Sequence, residues 1–145
     1  MADIRGAAAW LRRAGAVTVV LMGGSQGASE AVIAAARPPA GVTGVVALSA
    51  DELTMPLARR PSPMTTLAAA PGLRLPALFA VAVGDQNVSV ADTRRLVAAA
   101  RSPDKHLLVL PAGSGHGWDL VSLTPGTNTH PRFSRMVGAF LAQVT

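Results

Sequence analysis

The sequence predicts an α/β domain, a three-layer α/β/α sandwich around a mostly parallel sheet of about four strands. Short runs of β-branched and aliphatic residues alternate along the chain with stretches of helical periodicity. Pro and Gly fall at the joints between them. Half of the 145 residues are apolar, which is enough to bury one sizeable core, so residues 1–145 read as a single domain.

Each element has its own signal. Asp3 is placed to cap a first helix whose apolar face is Ile4, Ala7, Ala8, Leu11 and Ala14, and Gly15 is its left-handed stop. Ala16 to Met22 is nearly continuous in apolarity and reads as a strand covered on both faces. A glycine-rich turn opens a second helix through Ala36, which Pro38 and Pro39 stop. Val42 to Leu48 repeats the buried-strand pattern, whereas Asp51 to Gly72 has no sustained period and reads as a flexible loop with one short helix. Leu78 to Val83 is a third strand. Ser89 and Asp92 form a capping box for a helix burying Val90, Thr93, Leu96, Val97 and Ala100. Leu107 to Leu110 is a fourth strand. The last helix has Pro131 in its first turn and Phe133, Met136, Val137, Phe140 and Leu141 on one face. Ligands of such sheets gather at the carboxyl ends of the strands.

Composition narrows the function classes. The net charge of +5 comes from scattered arginines, with Lys105 the only lysine, and aromatics are 3% with no tyrosine. Stacking platforms for nucleic acid are therefore missing, and nucleic-acid binding is not expected. The absence of cysteine removes disulfides and thiolate metal sites. No segment reads as a signal peptide or a membrane span, so a cytoplasmic location away from membranes is expected.

Chemistry concentrates in three places. Gly23-Gly24-Ser25-Gln26-Gly27 is a G-x-S-x-G element between a predicted strand and a predicted helix. There the serine is forced into a strained conformation, small neighbours avoid collisions, and the Gln26 amide at the helix start points where an oxyanion forms. The alternative is a tight packing turn or a phosphate cradle. A G-x-G-x-x-G ending at Gly27 would need glycine where Met22 stands, and the turn lacks the lysine of a P-loop. Asp51 lies about where a ribose-binding acid falls, which keeps a nucleotide-binding reading as the minority view. His116, between Gly115 and Gly117 just past the last strand, is placed as a base for Ser25. His106 starts that strand and His130 precedes or caps the last helix. Asp85, after the third strand, is the chosen carboxylate partner of the imidazole; Asp119 reads as a surface or cap residue.

On these residues the chain resembles the α/β-hydrolase superfamily, especially its small serine esterase and dienelactone-hydrolase-like branches. Val17 to Ser29 looks like the nucleophile strand, turn and helix; Pro76 to Asp85 like the segment of proline, apolar strand and acid; Leu107 to Leu120 like the histidine loop. The order Ser25, Asp85, His116 is the family's chain order. Counting from Gly84 puts the acid at Asn87, and counting from Pro76 puts it at Asp85. The proline count is preferred because a strand has a fixed rise. The resemblance implies a truncated α/β-hydrolase fold, without the family's earlier strands and the second oxyanion donor that follows one of them. It also implies that Ala16 to Met22 lies at a sheet edge, where two copies would pair as a homodimer. The expected function is hydrolysis of a small-molecule ester through an acyl-enzyme on Ser25, with no metal or cofactor implied. The alternative is an inactive or weak hydrolase fragment serving as a binding or association domain.

Overall fold

A computed structural model describes residues 2–51, 65–121 and 131–145. The order of elements is α1 (Ala2–Arg13), β1 (Val19–Gly24), α2 (Gln26–Ala35), β2 (Val42–Leu48), α3 (Thr66–Ala69), β3 (Ala77–Ala82), α4 (Val90–Ala99), β4 (Lys105–Leu110) and α5 (Pro131–Val144). A 3₁₀ turn at Ala70–Gly72 follows α3, and another at Gly117–Leu120 follows β4. The strands form one parallel four-stranded sheet in the order β1-β2-β3-β4, as the alternation of strands and helices requires. His130 and the middle of the expected loop, residues 52–64, lie outside the described residues. Among the described residues no helix is long and apolar enough to cross a membrane.

Side chains alternate across the sheet and build two cores. On one face Val45, Ala47, Ala77 and Phe79 pack with Ala8 of α1, the small residues of α2 and Leu96 of α4. On the other, Val46, Leu48, Leu78 and Ala80 pack with Phe133, Val137, Phe140 and Val144 of α5 and with Leu120. The alanine-rich α2 lets its backbone approach the sheet closely, and seven of its ten residues are buried. Strands β2 and β3 are the middle of the sandwich and carry almost unbroken burial.

Several boundaries differ from expectation. The first strand starts at Val19, because the chain before it is engaged elsewhere. Gly15, at φ 99°, ends α1 with its amide on the Arg12 carbonyl and the Ala16 amide on the Leu11 carbonyl, the Schellman pattern. The Arg12 guanidinium then takes the Ala16 and Val17 carbonyls. Asp3 sits inside the first turn of α1, favourable to the helix dipole, and does not precede the helix as a cap. Nor is β1 covered on both faces: Val19 and Leu21 are buried while Val20 and Met22 are half-buried, since β1 is the outermost strand. Ser89 caps α4 by accepting from the Asp92 amide at 3.0 Å, but the Asp92 carboxylate accepts from the Ser89 hydroxyl and leaves the reciprocal half of the box unmade. Val90 and Val97 of α4 are half-buried, and Met136 of α5 is exposed.

Candidate active site

The carboxyl ends of all four strands meet at one rim. Strand β1 runs through Gly24 straight into α2 at Gln26, leaving Ser25 alone to make the corner at φ 56°, ψ −127°. A non-glycine residue there carries strain of order 1–3 kcal/mol. Close packing holds it: a methyl group on Gly23 would stand 2.2 Å from the Gly27 carbonyl oxygen, and one on Gly24 would stand 3.0 Å from the Trp118 indole. Gly27 itself faces open space, so the steric demand of the motif falls on the two glycines before the serine. The Ser25 amide donates to the Leu48 carbonyl at 2.8 Å, tying the corner to the end of β2. The Ser25 hydroxyl does not cap α2. Gln26 opens that helix, so its amide has no acceptor within it. Its side chain turns away to Glu30 at 3.4 Å.

The loop after β4 returns to the same corner. Gly115 and Gly117 both have positive φ, and a methyl on Gly117 would lie 3.3 Å from the Ser25 nitrogen. His116 is thus carried by main chain packed directly against the serine turn. Asp119, inside the short 3₁₀ turn, reaches back to accept from the amide of its N-cap, His116, at 3.3 Å.

The His116 Nδ1 lies 2.9 and 2.8 Å from the two Asp85 carboxylate oxygens. The Asp85 side chain is 0% exposed and that of His116 is 26% exposed. Burial acts to raise the Asp85 pKa, but the Asn87 amide, the imidazole, the Ser49 hydroxyl and the Val88 amide outweigh it, holding the carboxyl below its ordinary range. An ionised Asp85 only accepts hydrogen bonds, so Nδ1 must be the donor and the neutral imidazole presents its lone pair at Nε2. Asn87 contributes its main chain to this arrangement, donating to Asp85 Oδ1 at 2.9 Å; the carboxylate against the imidazole is Asp85. No hydrogen bond from Ser25 Oγ to the imidazole is formed among the described residues, a bond that is often long in unliganded sites. A cleft of about 300 Å³ lined by Val83, Gly84, Asp85, Gly115 and His116 opens beside the pair.

One participant was not expected. Ser49, just beyond β2, donates to Asp85 Oδ2 at 2.8 Å and accepts from the Gly117 amide at 3.0 Å. Its position at the carboxyl end of a buried strand was the available signal. Of the other residues weighed for the site, His106 pairs with Asp104 at 2.8 Å, and the Asp51 main chain is tied to the Ser29 hydroxyl. Among the described residues no group of three His, Asp or Glu is placed to hold a metal ion.

No protein-family model matches the sequence, and no curated protein matches it. Solved structures do match. An esterase of Pyrococcus furiosus superposes with a TM-score of 0.77 at 17% identity, over 97% of this chain and 60% of its own. The fold is that of the α/β-hydrolases. A monoacylglycerol lipase of Paleococcus ferrophilus follows at TM-score 0.72 and 14% identity, over 99% of this chain and 75% of its own. A dienelactone hydrolase of Anabaena variabilis gives 0.63 and 20%, over 88% and 50%. The chain therefore spans about 60% of the length of the esterase it matches. Within this α/β-hydrolase fold, the strained serine, the buried carboxylate and the imidazole all lie at the strand carboxyl ends, where open α/β sheets bind ligands.

Proposed function

We propose that the chain is a serine hydrolase that cleaves small carboxylic esters through an acyl-enzyme on Ser25. The observation that carries this reading is the Asp85–His116 hydrogen bond on a loop packed against a serine held at φ 56°. His116 Nε2 takes the Ser25 proton as Oγ attacks the ester carbonyl carbon. Asp85 keeps Nδ1 protonated and stabilises the imidazolium, and the Gln26 amide donates to the oxyanion. Collapse breaks the bond to the alkoxy group, which leaves with the proton from His116. Water then repeats the sequence on the acyl-enzyme and frees the acid. Similarity to esterases, a lipase and a dienelactone hydrolase supports hydrolase chemistry, and the reading places it in the cytoplasm.

Turnover of p-nitrophenyl acetate beside Ser25→Ala and His116→Ala tests the proposal. Both substitutions are expected to abolish the wild-type rate. A wild type no faster than its variants would favour the second reading, a catalytically weak or inactive association domain. That reading draws on the single assigned oxyanion donor, since losing one such donor typically costs roughly 10²–10³ in rate. The proposal also includes pairing of two copies through β1, whose outer edge has no strand beside it among the described residues and whose residues, Val19–Gly24, carry no charge.

A further inference from the structure

Ser49 is fully buried and stands at φ 53°, a left-handed conformation that glycine would adopt without strain. Serine stands there although its backbone gains nothing from the side chain. The hydroxyl explains the choice. A serine hydroxyl has one proton and two lone pairs. The Gly117 amide occupies a lone pair at 3.0 Å, so the proton is committed to Asp85 Oδ2 at 2.8 Å. Asp85 in turn accepts from His116 Nδ1, and His116 is covalently joined to Gly117. The result is a closed ring: Ser49 hydroxyl, Asp85 carboxylate, His116 imidazole, Gly117 amide, and back to Ser49.

The main chain of the same dipeptide completes the picture. The Leu48 carbonyl accepts from the Ser25 amide at 2.8 Å, and the Ser49 amide donates to the Ala80 carbonyl of β3 at 2.7 Å. Leu48 and Ser49 thereby touch the serine corner, the carboxylate and the histidine loop at once. Replacing the serine with glycine would leave the buried Gly117 amide without its acceptor and remove one donor from Asp85, while relieving the backbone at position 49.

We propose that Ser49 is a positioning residue of the hydrolase site, whose hydroxyl fixes the Asp85 carboxylate and the Gly117 main chain together so that His116 is presented to Ser25 in one orientation. The proposal rests on the serine-hydrolase reading. It is separable from a purely structural role because Ser49→Gly removes the ring and the strain together.

The test is the rate at which a fluorophosphonate labels the folded protein, measured for wild type, Ser49→Gly, Ser49→Ala and Ser25→Ala, with thermal unfolding of each and the far-downfield proton resonance of the His116 Nδ1–H. Ser49→Gly is expected to unfold at or above the wild-type temperature, yet to label on the order of 10–100-fold more slowly, the scale of a misplaced catalytic group. The downfield resonance should shift or broaden. Ser49→Ala, which keeps the strained backbone, serves as the comparison if the glycine variant loses cooperative unfolding. Labelling of a folded Ser49 variant at the wild-type rate with an unchanged resonance overturns the proposal and leaves the hydrolase reading standing. A wild type that labels no better than Ser25→Ala removes that reading, and the proposal falls with it.

Discussion

Gly23 and Gly27 flank the same serine but carry opposite consequences. At Gly23 an added methyl meets the Gly27 carbonyl at 2.2 Å, and the atoms it meets are all backbone. Gly23→Ala is therefore expected to destabilise by at least about 1–3 kcal/mol, the range of core overpacking. Gly27 faces open space within the first turn of α2. Gly27→Ala should stabilise by up to about 1 kcal/mol through helix propensity. Urea unfolding of the two variants distinguishes a steric turn from glycine preference in general; equal effects would contradict the packing described. At Asp85, the folded pKa lies below its ordinary value. Its charge then stabilises the fold fully above the unfolded value near 3.9, and that contribution is lost as pH falls through the lower folded value. The melting temperatures of wild type and Asp85→Asn are expected to differ near neutrality and converge under acid conditions. The same variant should lose about four orders of magnitude in ester turnover, because an amide facing Nδ1 favours the wrong tautomer. Ser25, Asp85 and His116 stand out in the sequence by motif, chain order and flanking glycines, and the structure bonds Asp85 to His116 on a loop packed against the Ser25 turn. Ser49 was not. Its role depends on a left-handed backbone and on contacts to residues 36 and 68 positions away, which no local pattern encodes.

Among the elements, Val42–Leu48 is read correctly to the residue because a buried parallel strand must be apolar on both faces and a glycine precedes it. The first strand is read three residues early. Ala16 and Val17 have strand-like side chains, yet hydrogen bonds from the end of α1 and from Arg12 claim their backbone, and Val17 is 79% exposed. Tertiary engagement overrides propensity there. For α4 the half-made box still leaves a cap: Ser89 accepts from the Asp92 amide. Ser89→Ala is expected to cost about 1 kcal/mol in urea unfolding. No loss of stability would show that the cap is dispensable to α4.

At the scale of the whole sheet, the linear order β1-β2-β3-β4 leaves two open edges among the described residues, and they are unlike. Strand β4 carries Lys105 and His106, charge and polarity that discourage pairing. Strand β1 carries neither, and beside it α1 exposes Trp10 at 62%. Sedimentation is expected to show a dimer that dissociates when the half-buried Met22 is replaced by lysine; a monodisperse monomer contradicts pairing through β1. The central claim concerns the rim that all four strands share, where Ser25, Asp85 and His116 converge from three separate segments. Its most direct measurement is mapping, by peptide mass, of the site modified by a fluorophosphonate. The account predicts one adduct, on Ser25, formed by the folded protein and lost in His116→Ala. No adduct, or one on another serine, contradicts it.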